Sequence, residues 1–365
     1  MPPLTSFSPY LSELNHHHVA SSASTNSELI EALQNGSLDV ATVHVLTAET
    51  QSAGRGQHGR SWQSPRGNVY LSLYHPVHMP ISGLLSLIIG LELAKMPVIQ
   101  TLNEQLQAQG LTPIGVKWAN DLGFYQQAQS QSEEQSEEQS EEQSKEQSEE
   151  QSKEQSKEQS KEQSKEQSKE QSKEQPITNS SVLDSVLNSD VANQRTLPFN
   201  KLAGILIEPV TKAGRLVGVV LGIGLNVQAA PKLTTQTSEG MSYQAISLQD
   251  INEMLPLETR PASLPDLPVL YQQMCKALMA AMTRFEHLGI EQPTGHTYYL
   301  DSFLEQFATM DALSGLRLRV TQDYTNEEKV VTGVACGVDT HGCLQLRQDS
   351  GKISTLFTGR IDVIY

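Results

Sequence analysis

The sequence predicts an α+β fold, a mixed β-sheet domain packed with helices and followed by a small β-barrel. Three observations point there. Strand-like apolar runs alternate with amphipathic helical segments up to about residue 311. From Leu313 onward, five short β-rich runs occupy some fifty residues, the pattern of a small barrel. Between Leu122 and Lys201 lies a long polar stretch, and the strand-like segments on either side of it can close as a hairpin.

Taken in order, Thr25-Asn26-Ser27-Glu28 reads as a capping box that opens a helix. Leu29, Ile30 and Leu33 form its apolar stripe, and Gly36 stands at the C-cap position. Strands follow at Ala41–Leu46 and Asn68–Tyr74, then an apolar helix at Ser82–Lys95. Gly115–Leu122 reads as a strand entering a turn, and Lys201–Glu208 as a second strand. Leu216–Val227 reads as two strand segments interrupted by Gly222 and Gly224. Helices are expected at Leu267–Leu288 and Thr297–Phe307. The final strands are Leu316–Val320, Val330–Val338, Leu344–Leu346, Lys352–Phe357 and Ile361–Ile364, with a turn at Asp339–Gly342. The domain boundaries are therefore 1–311, interrupted at about 126–199, and 312–365.

The interruption is low in complexity. Gln131–Glu174 is eleven tetrads, four QSEE and seven QSKE, with fifteen Glu and seven Lys. It holds half of the chain's net charge of −16 and no apolar residue, so it has nothing to pack on a core. Its period of four suits a solvated helix with weak Glu–Lys pairing, but disorder is the preferred reading, as it is for Asn179–Gln194. The remaining charge is only mildly acidic, and no nucleic-acid surface is expected. Three cysteines give no disulfide framework and suit a reducing, cytoplasmic setting. Residues 1–18 lack the pattern of a secretory signal, and Leu84–Leu93 is too short to span a bilayer. His16-His17-His18 reads as part of a solvated tail.

Chemistry concentrates at Ala53-Gly54-Arg55-Gly56-Gln57-His58-Gly59-Arg60-Ser61-Trp62. Three glycines lose much entropy on ordering, so such a run suits a loop that folds closely around something. Guanidinium groups match carboxylate and phosphate oxygens, which suggests an anion. Three more segments follow: Lys117-Trp118-Ala119-Asn120-Asp121, Lys201-Leu202-Ala203-Gly204-Ile205-Leu206 and Gly222-Ile223-Gly224-Leu225-Asn226.

In this order the four segments resemble the biotin protein ligases, which typically show Gly-Arg-Gly-Arg-x-Gly-Arg, Lys-Trp-Pro-Asn-Asp, Lys-Xaa-Xaa-Gly-Ile-Leu and Gly-Ile-Gly-Xaa-Asn. The resemblance implies a class II aminoacyl-tRNA synthetase-like catalytic domain with helices on one side of the sheet, then an SH3-like barrel. It implies an ATP-binding ligase that makes biotinyl-5′-AMP and transfers biotin to a lysine of a biotin carboxyl carrier protein. Its cofactors would be biotin, ATP and Mg²⁺. A monofunctional form is expected, monomer or homodimer, with no DNA or membrane partner, because no basic recognition helix precedes Ser24. A non-catalytic biotin-binding scaffold and a bifunctional ligase-repressor are the weaker alternatives.

Carried over by position, Ser24, Thr25, Asn26 and Gln51 match the biotin pocket, and Arg55, Gly56 and Gln57 the closing loop. Arg55, Lys117 and Asp121 match catalytic positions, with Lys117 expected on the biotin carboxylate and α-phosphate. Asp121 is assigned to Mg²⁺ or to deprotonating the acceptor lysine, with a plain turn aspartate the alternative. Gly204 and Leu206 would line the biotin ring. Trp62, Asn120 and Asn226 would meet ATP, though Trp62 also suits the core and Asn226 a turn. Gln57 and Ala119 depart from the family's usual arginine and proline.

Overall fold

A computed structural model of the chain describes residues 8–126, 196–231, 243–288, 298–324 and 327–365, which belong to one compact unit. The QSEE/QSKE repeat and Asn179–Gln194 lie outside the described residues.

Eight strands form the first sheet: β1 (His16–Val19), β2 (His44–Ala48), β3 (Val69–Pro76), β4 (Gly115–Lys117), β5 (Asp121–Tyr125), β7 (Phe199–Lys212), β8 (Arg215–Leu225) and β9 (Tyr243–Ala245). Their order is β1-β2-β3-β8-β7-β5-β4, with β9 also pairing β7. The pairs β1–β2 and β7–β9 are parallel and the rest antiparallel, which makes the sheet mixed as predicted. The segments flanking the repeat do pair, Tyr125 opposite Phe199. Gly115–Leu122 is not one strand, however. It breaks at Trp118–Asn120, so that Lys117 and Asp121 face each other across a tight turn.

Helices cover both faces, not one. Alternate residues of a strand point to opposite faces. Val45, Leu73 and Val219 pack with α3 (Leu84–Ala94), α4 (Pro97–Ala108) and α6 (Leu267–Leu288). Their neighbours Leu46, Tyr74 and Val220 pack with α2 (Thr25–Gln34) through Leu29 and Leu33. α3 is buried on nearly every side, as its almost unbroken apolar sequence requires. Among the described residues no single helix is long and apolar enough to cross a membrane.

Other expectations shift locally. Ser24, not Thr25, caps α2 by accepting from Ser27 N, while Glu28 reaches back to Ala23 N. β2 begins at His44, since Asp39 and Thr42 hold the preceding residues in a turn. β8 runs unbroken through Gly222 and Gly224. His16–His18 is an edge strand, not tail: His16 and His18 both hydrogen-bond Thr47 Oγ1, at 2.7 and 2.9 Å. α1 (Pro9–Glu13), α4 and α5 (Leu248–Met254) were not expected, whereas α6 and α7 (Tyr298–Ala308) fall where predicted.

The C-terminal part is a six-stranded antiparallel sheet in the order β13-β12-β11-β10-β14-β6. Its strands are β10 (Arg317–Tyr324), β11 (Glu327–Val338), β12 (Leu344–Arg347), β13 (Ile353–Leu356), β14 (Arg360–Ile364) and β6 (Thr196–Leu197). The hydrogen-bonded path has two ends, so closure into the expected barrel is not seen among the described residues. A bulge between Ala335 and Val338 bends β11, and the two-residue β6 caps β14, so that residues expected in the insertion pair with the C-terminal sheet. The turn after β11 reaches the first sheet, where Trp118 Nε1 donates to Gly342 O at 2.8 Å.

Candidate active site

The α2 face of the sheet is only half covered by α2. On β7 this face reads Gly204, Leu206, Glu208 and Val210, and on β8 it reads Gly224, Gly222 and Val220. The large residues at one end support the helix. The glycines at the other end leave an open hollow beside the helix N-terminus. They are required there: a Cβ on Gly222 would stand 2.1 Å from Asn26 Oδ1, and one on Gly224 2.5 Å from Trp62. Glycine thus excavates the pocket without interrupting the ladder, which explains the continuity of β8.

The segment 54–62 roofs the hollow. Gly56 N donates to Arg60 O at 2.7 Å and Trp62 N to Gly54 O at 2.8 Å, while Gln57–Gly59 makes one 3₁₀ turn. Gly59 has φ +74°, a conformation that favours glycine. Trp62 lies over Gly204 and Gly224, and its Nε1 is buried with no hydrogen-bond partner among the described residues.

One end of the hollow is a committed polar network. Gln51 Oε1 accepts from Thr25 N at 2.9 Å, and Gln51 Nε2 donates to Ser64. Ser72 Oγ lies 2.7 Å from Thr25 Oγ1 and also donates to Asn26 Oδ1. Asn26 Nδ2 in turn donates to Glu208 at 2.8 Å, and Arg55 meets the same carboxylate. At the other end stands Lys201, its Nζ 2.6 Å from Asp121 Oδ1 and 5.4 Å from the Trp62 ring.

Of the residues singled out from sequence, Ser24, Thr25, Asn26 and Gln51 line the hollow. So do Arg55, Gly56, Gln57, Trp62, Asn120, Gly204 and Leu206. Lys117, Asp121 and Asn226 do not. Asn226 is buried and donates to Ile246 O at 3.2 Å, joining β8 to the start of α5. Lys117 is buried among the Tyr243, Phe199 and Tyr125 rings, and burial pulls its ammonium down to about 7. Lys201, missed from sequence, is the lysine that lines the hollow. The signal was present, since it heads the third motif as Lys117 heads the second. A register shift between Leu122 and Gly123, where β5 meets β7, accompanies the turn of Lys201 toward Gly204.

Asp121 fits a protein-held magnesium poorly. Lys201 already stands against Oδ1, Tyr243 donates to Oδ2 at 3.2 Å, and no cluster of three His, Cys, Asp or Glu occurs among the described residues.

Comparison with known proteins matches this arrangement. The model of the biotin/lipoate A/B protein ligase family matches residues 20–129, which carry α2, the roof segment and the Lys117–Asp121 turn. Over this segment the chain is similar to the biotin/lipoate A/B protein ligases. Relatives include the bifunctional ligase/repressor BirA of Salmonella typhimurium, 24% identical over 93% of this chain and 71% of that protein. BirA of Escherichia coli is 25% identical over 87% of this chain and 65% of its own length. A solved biotin protein ligase from Aquifex aeolicus in complex with biotin and ATP has the same fold, with a TM-score of 0.52 at 16% identity, covering 95% of this chain and 97% of the other. The motif residues of the family thus converge here on one pocket, apart from those that end in the buried cluster behind it.

Proposed function

We propose that the protein condenses biotin with ATP to biotinyl-5′-adenylate and passes biotin to a lysine of a biotin carboxyl carrier domain. The observation that carries this reading is a glycine-floored pocket with Lys201 at one end, a closed polar network at the other, and the segment 54–62 above. The network offers fixed dipoles to a small polar ring. Among the described residues that line the pocket, Lys201 offers an ammonium that can meet a carboxylate and the α-phosphate together. In the first step a biotin carboxylate oxygen attacks the α-phosphorus and pyrophosphate leaves. Lys201 offsets the charge that gathers on the phosphoryl oxygens. The roof keeps water from the mixed anhydride. In the second step the carrier amine attacks the acyl carbon, its C–N bond forms, and AMP leaves with the anhydride oxygen.

Magnesium enters this scheme on the nucleotide's phosphates, not on a protein cage. The same reading expects a cytoplasmic enzyme, monomer or homodimer, with no DNA or membrane partner. Three free cysteines accord with a reducing compartment.

The test is incubation with ATP, Mg²⁺, labelled biotin and a biotin carrier domain. Labelled carrier and biotin-dependent pyrophosphate are expected. Biotin binding without either product would instead make the chain a non-catalytic biotin-binding protein.

A further inference from the structure

The polar end of the pocket has a fixed direction of hydrogen bonding, and one carboxylate sets it. Glu208, paired with Arg55, only accepts, and it takes Asn26 Nδ2 at 2.8 Å. The Asn26 amide is thereby oriented with Oδ1 toward β3, where Ser72 Oγ meets it. Oδ1 has no proton, so the single Ser72 proton is spent there. Ser72 Oγ also lies 2.7 Å from Thr25 Oγ1, and two hydroxyl oxygens that close need a proton between them. Thr25 has to supply it. The Thr25 hydroxyl therefore points its proton at Ser72 and not at Gln51 Oε1, which is 3.2 Å away and already accepts from Thr25 N at 2.9 Å.

Burial makes this direction costly to reverse. Ser72 is fully buried, and Thr25 and Asn26 are 4% exposed. Ser72 stands on β3 opposite Gly222 of β8, the glycine whose missing side chain makes room for Asn26 Oδ1. An alanine would fill nearly the same space as Ser72 with no polar group to satisfy. What the serine adds is one donor and one acceptor, and both are used. Thr25 and Gln51 line the pocket, whereas Ser72 stands behind them. With its proton turned back to Ser72, Thr25 Oγ1 presents lone pairs to the pocket.

We propose that Ser72 is a specificity-determining positioning residue, which makes the Thr25 hydroxyl an acceptor and so selects a ligand ring that carries an N–H at that point. The choice of ring rests on the ligase reading, in which it is the cyclic urea of biotin.

The test uses the full chain as wild type, Ser72→Ala, Thr25→Val and the double variant. Each is titrated calorimetrically with biotin and with its two cyclic carbamate analogues, in which one or the other ring N–H is an oxygen. The wild type should reject one carbamate by about 10²-fold or more relative to biotin, because its ring oxygen and Thr25 Oγ1 would meet with no proton between them. In Ser72→Ala the Thr25 proton is released and can turn to that oxygen, so the ratio should fall about tenfold. Adding Ser72→Ala to Thr25→Val should leave the ratio where Thr25→Val alone puts it, because the two residues act in series. Pyrophosphate release by Ser72→Ala should show a raised KM for biotin with kcat unchanged, since Lys201 stands at the opposite end of the pocket. The same ratio in wild type and Ser72→Ala, a further change on Thr25→Val, or a fall in kcat would overturn the proposal and leave the ligase reading intact. No binding of biotin by the wild type would overturn both.

Discussion

Arg55 Nη2 stands 2.9 and 2.8 Å from the two carboxylate oxygens of Glu208. The pair fastens the roof segment to β7. Because Glu208 also takes Asn26 Nδ2, it joins the roof to the first turn of α2. Arg55 is therefore held on the side of the pocket away from Lys201. Gly204 and Glu208 are four residues apart along β7, roughly 13 Å.

Replacing Glu208 with Gln should loosen the roof. A partly exposed ion pair contributes about 0.2–1 kcal/mol, so biotin affinity should fall by up to about fivefold and more free adenylate should escape. Calorimetric titration with biotin and chromatography of released adenylate would measure both. Unchanged binding and release would show that the contact is incidental.

Lys201→Ala should depress adenylate formation by about 10²–10³, the scale of losing a preorganised charge at a reacting oxyanion. The melting temperature should fall as well, since the buried Asp121 carboxylate loses its ion-pair partner. Pyrophosphate release against biotin concentration is the measurement. Near-normal kcat would refute the assignment.

Gln57 lines the pocket from the roof as a neutral amide. Gln57→Arg would add a cation there and should lower leakage of free adenylate. Equal release from the two forms would sink this expectation.

Burial lowers the Lys117 ammonium from 10.5 to about 7. Between those values the unfolded chain binds more protons than the folded one, so this group makes stability rise with pH from about 7 toward 10.5. Below about 7 both states are charged and the full burden of burial is present. Lys117→Met should therefore melt above the wild type at pH 6, with the gap closing as pH approaches 10. Thermal melts across that range would show a constant gap if another group were responsible.

Deletion of Gln131–Glu174 should leave biotin-dependent pyrophosphate release near that of the full chain. Tyr125 and Phe199 are already paired, so the remaining loop needs only to return the chain to β6. A large fall in kcat would give the repeat a direct part in turnover.

The glycine-rich roof, the pocket residues Ser24–Asn26 and the two strands flanking the repeat were legible because each rests on local residue chemistry. Covering helices on both faces were harder to read, since the apolar stripe of α2 and the all-round apolar surface of α3 look the same whichever face they meet. The short β6 was not legible, because two residues, Thr196 and Leu197, carry no periodicity.

The amino-acid sequence alone determined the mixed α+β architecture, the family's motif order and most of the residues that meet in the pocket. Only the tertiary structure distinguished the surroundings of the two lysines. Lys117 and Lys201 each begin a motif, and nothing local separates them. A three-residue turn directs Lys117 into an aromatic box, and Lys201, where the β5–β7 register shifts, turns toward Gly204 and the open pocket. Strand register sets the face on which a side chain emerges, and register is fixed by pairing between segments distant in the chain.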